Sequence, residues 1–276
     1  METIENRCKT KYPIVLIHGT GFRDRKWLNY WGRIPKILMI SGCEIYYGNQ
    51  DSWATIECNA KTLKKSIEEA LAVSGAEKVN LIAHSKGGME ARYIISTLGM
   101  SEQIASLTTI GCPHHGSKTM DLICKLPAFL FRLVSIFINL WFRILGDQNP
   151  DFYQVCHQFT TYYAEEFNRQ NPDFESVYYQ SYAAVMKNSF SDFILTVPHF
   201  VISIVEGEND GLVTPMSAKW TNFQGVLRGS TNRGISHADE VDMRRRRLTK
   251  KEQAGCVHDI CDVYVQIVEG LKQHGF

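Results

Sequence analysis

A serine hydroxyl attacks a carbonyl only when the backbone presents it and a base takes its proton, and residues 81–93 meet the first condition. They read Leu-Ile-Ala-His-Ser-Lys-Gly-Gly-Met-Glu-Ala-Arg-Tyr. Within them Ala83-His84-Ser85-Lys86-Gly87 fits the pattern G-x-S-x-G, with alanine in the first glycine position. A strand that turns directly into a helix forces the serine into a strained conformation, and only small residues on either side let the two elements approach. The hydroxyl then stands at a helix N-terminus, where backbone N–H groups favour developing negative charge. Taken alone, the pentapeptide is also an ordinary glycine-rich turn. Its context argues for a nucleophile elbow: Lys78 to Ala83 reads as a strand before it, and Met89 to Leu98 supplies helix formers after it.

Such a serine needs a base, and the base needs an acid to orient it. In folds built on this elbow the acid and then the histidine follow the serine. Glu206-Gly207-Glu208-Asn209-Asp210-Gly211-Leu212-Val213 places Asp210 in a turn after an apolar run, where such an acid stands. Glu206 is read as part of the run itself and Glu208 lacks the turn geometry, while Asn-Asp-Gly is also good turn chemistry in its own right. Three histidines follow Asp210. His274 is two residues from the end of the sequence and His258 is read as a cap of the closing helix. His237, in Gly234-Ile235-Ser236-His237-Ala238-Asp239-Glu240, is read as the base, projected from a loop before a polar helix. His84 is read as packing. For the oxyanion, the donors expected are the N–H of Lys86, directly after the nucleophile, and the N–H of Thr20, in the loop His18-Gly19-Thr20-Gly21-Phe22.

These groups require a scaffold that brings strand ends together. Tyr12 to His18 reads as a buried parallel strand, residues 31–40 as a helix and Glu44 to Tyr47 as a strand. Ile56, Ala60, Leu63, Ile67 and Leu71 recur at helical spacing. Ala105 to Ile110 and Val201 to Val205 read as later strands, and Ile260, Val263, Ile267 and Leu271 mark a closing helix. Strands alternating with helices predict a mostly parallel sheet covered on both faces, with its functional groups beyond the carboxyl ends of the strands.

No linker or low-complexity stretch divides the 276 residues, so one domain is expected over 1–276. With 44% apolar and 21% charged residues the chain can bury a full core. A net charge of +1 removes the electrostatic reason to expect nucleic acid. Arg244 to Arg247, with Lys250 and Lys251, reads as a solvated helix face, with contact to a polyanion as the alternative. The eight cysteines show no zinc-type spacing, and Met1 to Tyr12 carries no apolar leader, which leaves cytoplasmic and secreted locations both open.

With these residues aligned, the chain resembles the bacterial true lipases of the Pseudomonas, Burkholderia and Proteus type, within the α/β-hydrolase superfamily. The resemblance runs through Pro13 to Phe22, Tyr30-Trp31, Ile34-Pro35, Ser74-Gly75, Lys78 to Ile82 and the elbow. It continues through Thr109 to Ser117, Asn209 to Val213 and His237 to Val241. It implies an α/β-hydrolase fold, a triad of Ser85, Asp210 and His237, and oxyanion donors at Thr20 and Lys86. It also implies a structural calcium ion near His237, held by Asp239, by Asp192 and by carbonyls near Met243 and Arg247; two carboxylates and carbonyl oxygens suit a hard cation. Asp239 as a helix cap is the alternative. No organic cofactor and no obligate protein partner is implied.

Leu122 to Leu145 is apolar apart from Lys125, Arg132, Ser135, Asn139 and Arg143, which at 100° per residue fall on one stripe. Only ten residues separate Arg132 from Arg143, against about 20 for a membrane span. A buried core helix is one reading. Similar lipases carry a helical lid at this point, implying an insertion at about 118–165 that shields the acyl pocket in water. The resemblance thus implies a carboxylic ester hydrolase acting on lipids at a lipid–water interface, triacylglycerols foremost. The alternatives are a short-chain esterase or polyester hydrolase and, from another class, a non-catalytic lipid-surface binding protein.

Overall fold

Six parallel strands form one sheet in the computed structural model, which describes residues 6–24, 29–249 and 253–276. Lys250, Lys251 and Met1 to Glu5 of the segment read for a leader lie outside the described residues. The strands are β1 (Ile14–Ile17), β2 (Ile45–Tyr47), β3 (Val79–His84), β4 (Ile104–Ile110), β5 (Tyr178–Ala184) and β6 (Phe223–Leu227), in the order β2-β1-β3-β4-β5-β6. Helices α1 (Ile34–Ile40), α2 (Ile56–Ser74) and α3 (Lys86–Ser96) fill the first crossovers. The β4–β5 connection carries α4 (Lys118–Ile123), α5 (Ala128–Ile144), α6 (Phe152–Gln158) and α7 (Thr161–Gln170). Helices α8 (Thr196–Val205) and α9 (Pro215–Ala218) lie between β5 and β6, and α10 (Ile260–Gln273) closes the chain.

Alternation along buried strands builds the core on both faces. Ile14 and Leu16 pack with Ile34, Leu38, Tyr264 and Ile267 on the α1–α10 face, whereas Val15 and Ile17 pack with Leu63, Ile67, Ala91 and Ile94 on the α2–α3 face. The strand order reverses at β1, so β1 and β3 lie side by side while their crossovers leave in opposite directions. A crevice opens at their carboxyl ends, and Gly19-Thr20 and Ser85 occupy it.

Several expectations are corrected. Val201 to Val205 is the end of helix α8, not a strand. A short run of β-branched residues does not by itself distinguish strand from helix, and here His199 and Ile202, three residues apart, face inward while Phe200 and Ile204 face solvent. The strand in that part of the chain is β5, Tyr-Tyr-Gln-Ser-Tyr-Ala-Ala, whose buried Gln180 and Ser181 hide it from a reading based on apolar runs. Gln180 donates to Thr108 Oγ1 at 2.9 Å and Ser181 to the Trp220 carbonyl at 3.0 Å, which makes their burial tolerable. β6 was not anticipated either. His258 does not cap α10; Asp259 does, accepting from Cys261 N–H, while His258 meets Thr249. Residues 244–247 are not helical, and Arg245 has φ 51°.

The α5 helix inverts the usual amphipathic arrangement. Phe131 and Ser135 face the protein, whereas Phe129, Leu133, Ile136, Phe137, Leu140, Trp141 and Ile144 are exposed. Among the described residues no helix is long and apolar enough to cross a membrane.

Close approach of α3 to β1 depends on Gly87. A Cβ there would lie 2.5 Å from the His18 carbonyl oxygen and 2.7 Å from that of Ile17, and backbone cannot swing aside. Gly87→Ala is expected to cost about 1–3 kcal/mol or more of stability, read by thermal or urea unfolding.

Candidate active site

Ser85 joins β3 to α3 with φ 56° and ψ −131°, a conformation that costs of order 1–3 kcal/mol for a residue with a side chain. It is held there on three sides. Its N–H donates to the Ile110 carbonyl at 3.0 Å, its carbonyl accepts from Gly88 at 3.0 Å, and Gly19 leaves no room beside it. A Cβ at Gly19 would sit 2.6 Å from Ser85 Cβ and 2.7 Å from the Tyr30 hydroxyl. Ser85 and Thr20 line a largely apolar cavity of about 390 Å³, together with Met120, Ile123, Phe131, Val201 and Leu212.

Asp210 and His237 meet as expected, although the route differs. The chain reaches Asp210 from helix α8, and the Met186 N–H beyond β5 donates to the Asn209 carbonyl at 2.9 Å, docking the acid loop at the sheet end. Asp210 Oδ1 accepts from the N–H groups of Leu212 and Val213, both at 2.8 Å. That turn aims Oδ2 at His237 Nδ1, 2.8 Å away. The His237 N–H also donates to the Asp210 carbonyl at 2.8 Å. Nε2 of His237, across the ring from the Asp210 contact, is buried without a hydrogen-bond partner among the described residues. The His237 ring lies 4.3 Å, centroid to centroid, from that of His84, which puts it against the residue preceding Ser85.

His84 is more than packing. Its Nδ1 meets the Tyr30 hydroxyl at 2.6 Å and its Nε2 meets Glu240 Oε2 at 2.8 Å, all fully buried. Burial, with the neighbouring His237 adding to it, holds the His84 imidazole well below the usual histidine range, so it is neutral. Glu240 lies 3.4 Å from His237 Nδ1 and was not singled out in the sequence; a one-turn 3-10 segment, Asp239–Val241, folds it back beneath its own histidine. Burial first, and the Asp210 carboxylate next, push Glu240 well above the usual carboxylate range. That direction favours its neutral form. Its Oε1 is buried without a hydrogen-bond partner among the described residues, tolerable for a neutral acid and costly for an anion. Its position inside the quoted motif was the only available signal.

The start of α3 and the loop after β1, on either side of Ser85, are tied together by side chains. Lys86 is buried, with Nζ 2.8 Å from Glu90 Oε1 and donating to the Ala54 carbonyl at 2.6 Å. Asn59 and Gln50 also donate to Glu90, and Gln50 donates to the His18 carbonyl at 2.9 Å. The start of α3 and the Gly19-Thr20 loop thus share one polar network. Thr20 lies on that loop and Lys86 at the helix start.

The structure also unites Asp192 and Asp239. Ser236 Oγ lies 3.0 Å from Asp192 Oδ2 and 2.9 Å from Asp239 Oδ2, and the Arg244 guanidinium pairs with Asp192.

A family model described as palmitoyl protein thioesterase matches residues 13–255. The chain belongs to that family. Triacylglycerol lipase 2 of Saccharomyces cerevisiae is 29% identical, over 92% of this chain and 78% of that protein. A triacylglycerol lipase of Vibrio cholerae is 40% identical over 42% of this chain and 36% of its own length. Among solved structures, the mature lipase BlEst2 of Bacillus licheniformis superposes with a TM-score of 0.64 at 21% identity, over 88% of this chain and 91% of that one, a likeness of fold. The resemblance to bacterial lipases and the α/β-hydrolase fold read from the motifs are borne out.

The protonation of Glu240 makes a signed prediction. The unfolded carboxyl loses its proton near 4.5, the folded one at higher pH, so the folded state binds more protons above 4.5 and loses stability as pH rises. Glu240→Gln, which cannot ionise, should gain on wild type above that pH, by up to about 1.4 kcal/mol per unit until the folded carboxyl titrates. Urea unfolding of both proteins from pH 5 to 8 reads this; a constant difference would mean that Glu240 is ionised in the fold.

Proposed function

We propose that this protein hydrolyses carboxylic esters of lipids, triacylglycerols foremost, through Ser85, His237 and Asp210. The observation that carries the reading is Ser85, strained on its elbow, in the wall of an apolar cavity beside a buried Asp–His pair. The lipase relatives support the substrate class. Ser85 Oγ attacks the ester carbonyl while His237 Nε2 takes its proton. The carbonyl oxygen becomes an oxyanion facing the N–H groups of Thr20 and Lys86. Asp210 holds Nδ1–H and stabilises the imidazolium, and neutral Glu240 adds no second negative charge there. Collapse of the intermediate breaks the ester C–O bond, and the leaving alcohol takes the proton from Nε2. Water, deprotonated by the same nitrogen, then attacks the acyl-Ser85 and releases the fatty acid.

The outward apolar face of α5 supports action at a lipid surface. Docking there would bury Ile136, Phe137, Leu140 and Trp141, each worth about 1.5–3 kcal/mol when fully covered. The C-terminal end of α5 is anchored: Asp147 accepts from the N–H groups of Ser52 and Trp53 at 3.0 and 2.9 Å. Phe131, nearer the other end, is part of the cavity wall, so α5 acts as a lid that swings about its Asp147 end. A second reading, hydrolysis of a fatty acyl thioester, draws on the family description and uses the same residues.

Ser85→Ala should lower turnover of a long-chain triacylglycerol emulsion by several orders of magnitude while the protein stays folded. Emulsion turnover in wild type with slower S-palmitoyl thioester cleavage favours the lipase reading; the reverse ranking favours the thioesterase, and short-chain turnover alone an esterase. Ile136→Ser with Phe137→Ser should cut emulsion hydrolysis about tenfold and leave a soluble short-chain ester within twofold. Equal loss on both substrates would remove the surface role of α5.

A further inference from the structure

The clasp that holds the His237 loop has a side-chain cation where a metal would be expected. Ser236, Asp239 and the 3-10 turn that follows flank His237, and Ser236 Oγ bridges Asp239 to Asp192 on the segment leading into α8. Both carboxylates are buried, with 2% and 6% exposure, and two like charges meeting at one hydroxyl repel unless a cation compensates them. The residues do not fit a calcium ion, because Arg244 has taken that position. Its Nη2 pairs with Asp192 Oδ2, its Nη1 lies 3.9 Å from Asp239 Oδ1, and Nη1 donates to the Ser191 carbonyl at 3.3 Å. A calcium ion would want that carbonyl and those carboxylate oxygens. Arg233 donates to the same carbonyl, and Arg233 and Arg246 line the same shallow depression, so a divalent cation would enter a field already positive. Two left-handed residues, Asp242 at φ 53° and Arg245 at φ 51°, bracket the stretch that carries Arg244.

We propose that the Arg244 guanidinium does in this chain the work of a divalent cation, joining Asp192 to Asp239 and so fixing the loop that presents His237. Arg244 is a positioning residue. The claim that the clasp matters for turnover rests on His237 being the base; the claim that a guanidinium replaces the metal does not. The protein is then independent of calcium, and calcium dependence is latent in the two carboxylates that Arg244 satisfies.

The test compares wild type, Arg244→Gln and Arg244→Lys in EDTA and in millimolar calcium chloride, reading the thermal midpoint and the turnover of a soluble ester. Wild type should show the same midpoint in both, within about 1 °C. Arg244→Gln should melt about 5 °C or more lower in EDTA, lose about tenfold or more in kcat with KM within twofold, and recover part of both in calcium. Arg244→Lys, which keeps the charge, should stay close to wild type. A wild-type midpoint that falls in EDTA would overturn the proposal, as would an Arg244→Gln protein unchanged in midpoint and kcat. A lowered midpoint with normal kcat would remove the positioning role. If wild type hydrolyses no ester at all, the functional reading fails while the midpoints still decide the clasp.

Discussion

Backbone approach at the carboxyl ends of β1, β3 and β4 is the constraint on which the rest of the molecule depends. Ser85 can be strained and presented only because Gly19, Gly87, Gly88 and Gly111 carry no side chain where it would strike the first strand loop, the nucleophile, Cys112 or Glu240. The strain at Ser85 persists because the strands, the flanking helices and the Ile110 carbonyl over-determine its backbone. Sheet order supplies the crevice, and the missing Cβ atoms let the backbone around Ser85 reach it.

Around that crevice the protein buries an unusual amount of ionisable material and keeps it tolerable in two different ways. Lys86 and Glu90 form a buried ion pair, to which Asn59 and Gln50 donate and in which the Ala54 carbonyl accepts from Lys86. His84 and Glu240 are instead held neutral by burial and by their neighbours. Neutrality there matters to the pair next door. An ionised Glu240, 3.4 Å from His237 Nδ1, would hold the imidazole proton more tightly and compete with Asp210 for its orientation.

Outside the core, stability is traded for exposure. Helix α5 turns Ser135 and Asn139 toward the protein, where Ser135 donates to the Phe131 carbonyl and Asn139 accepts from the Phe152 N–H, while Arg132 and Arg143 stay exposed. Its apolar residues face solvent at a cost that a lipid surface would remove. Helix α8 likewise exposes Val197, Phe200 and Ile204 and has Val201 in the cavity wall. Both helices also give residues to the cavity wall, Phe131 from α5 and Val201 from α8.

The elbow at Ser85, the first strand, the helices α2 and α10 and the approach of Asp210 to His237 were legible because each is written in a few consecutive residues. Backbone chemistry at Gly87 or at Asn-Asp-Gly is local, and helical spacing reports a buried face without knowledge of its partner. β5, β6 and the helical state of Val201 to Val205 were not legible, because Gln180 and Ser181 are stabilised by groups far along the chain and β-branched residues follow their packing. Glu240 under its own histidine, Ser236 between two aspartates and Arg244 against Asp192 are likewise products of tertiary approach. The sequence by itself determined which residues could do the chemistry. Only the packed chain decided their protonation, their counter-charges and which way the apolar helix faces, since burial and through-space charge sum over residues that no local pattern joins.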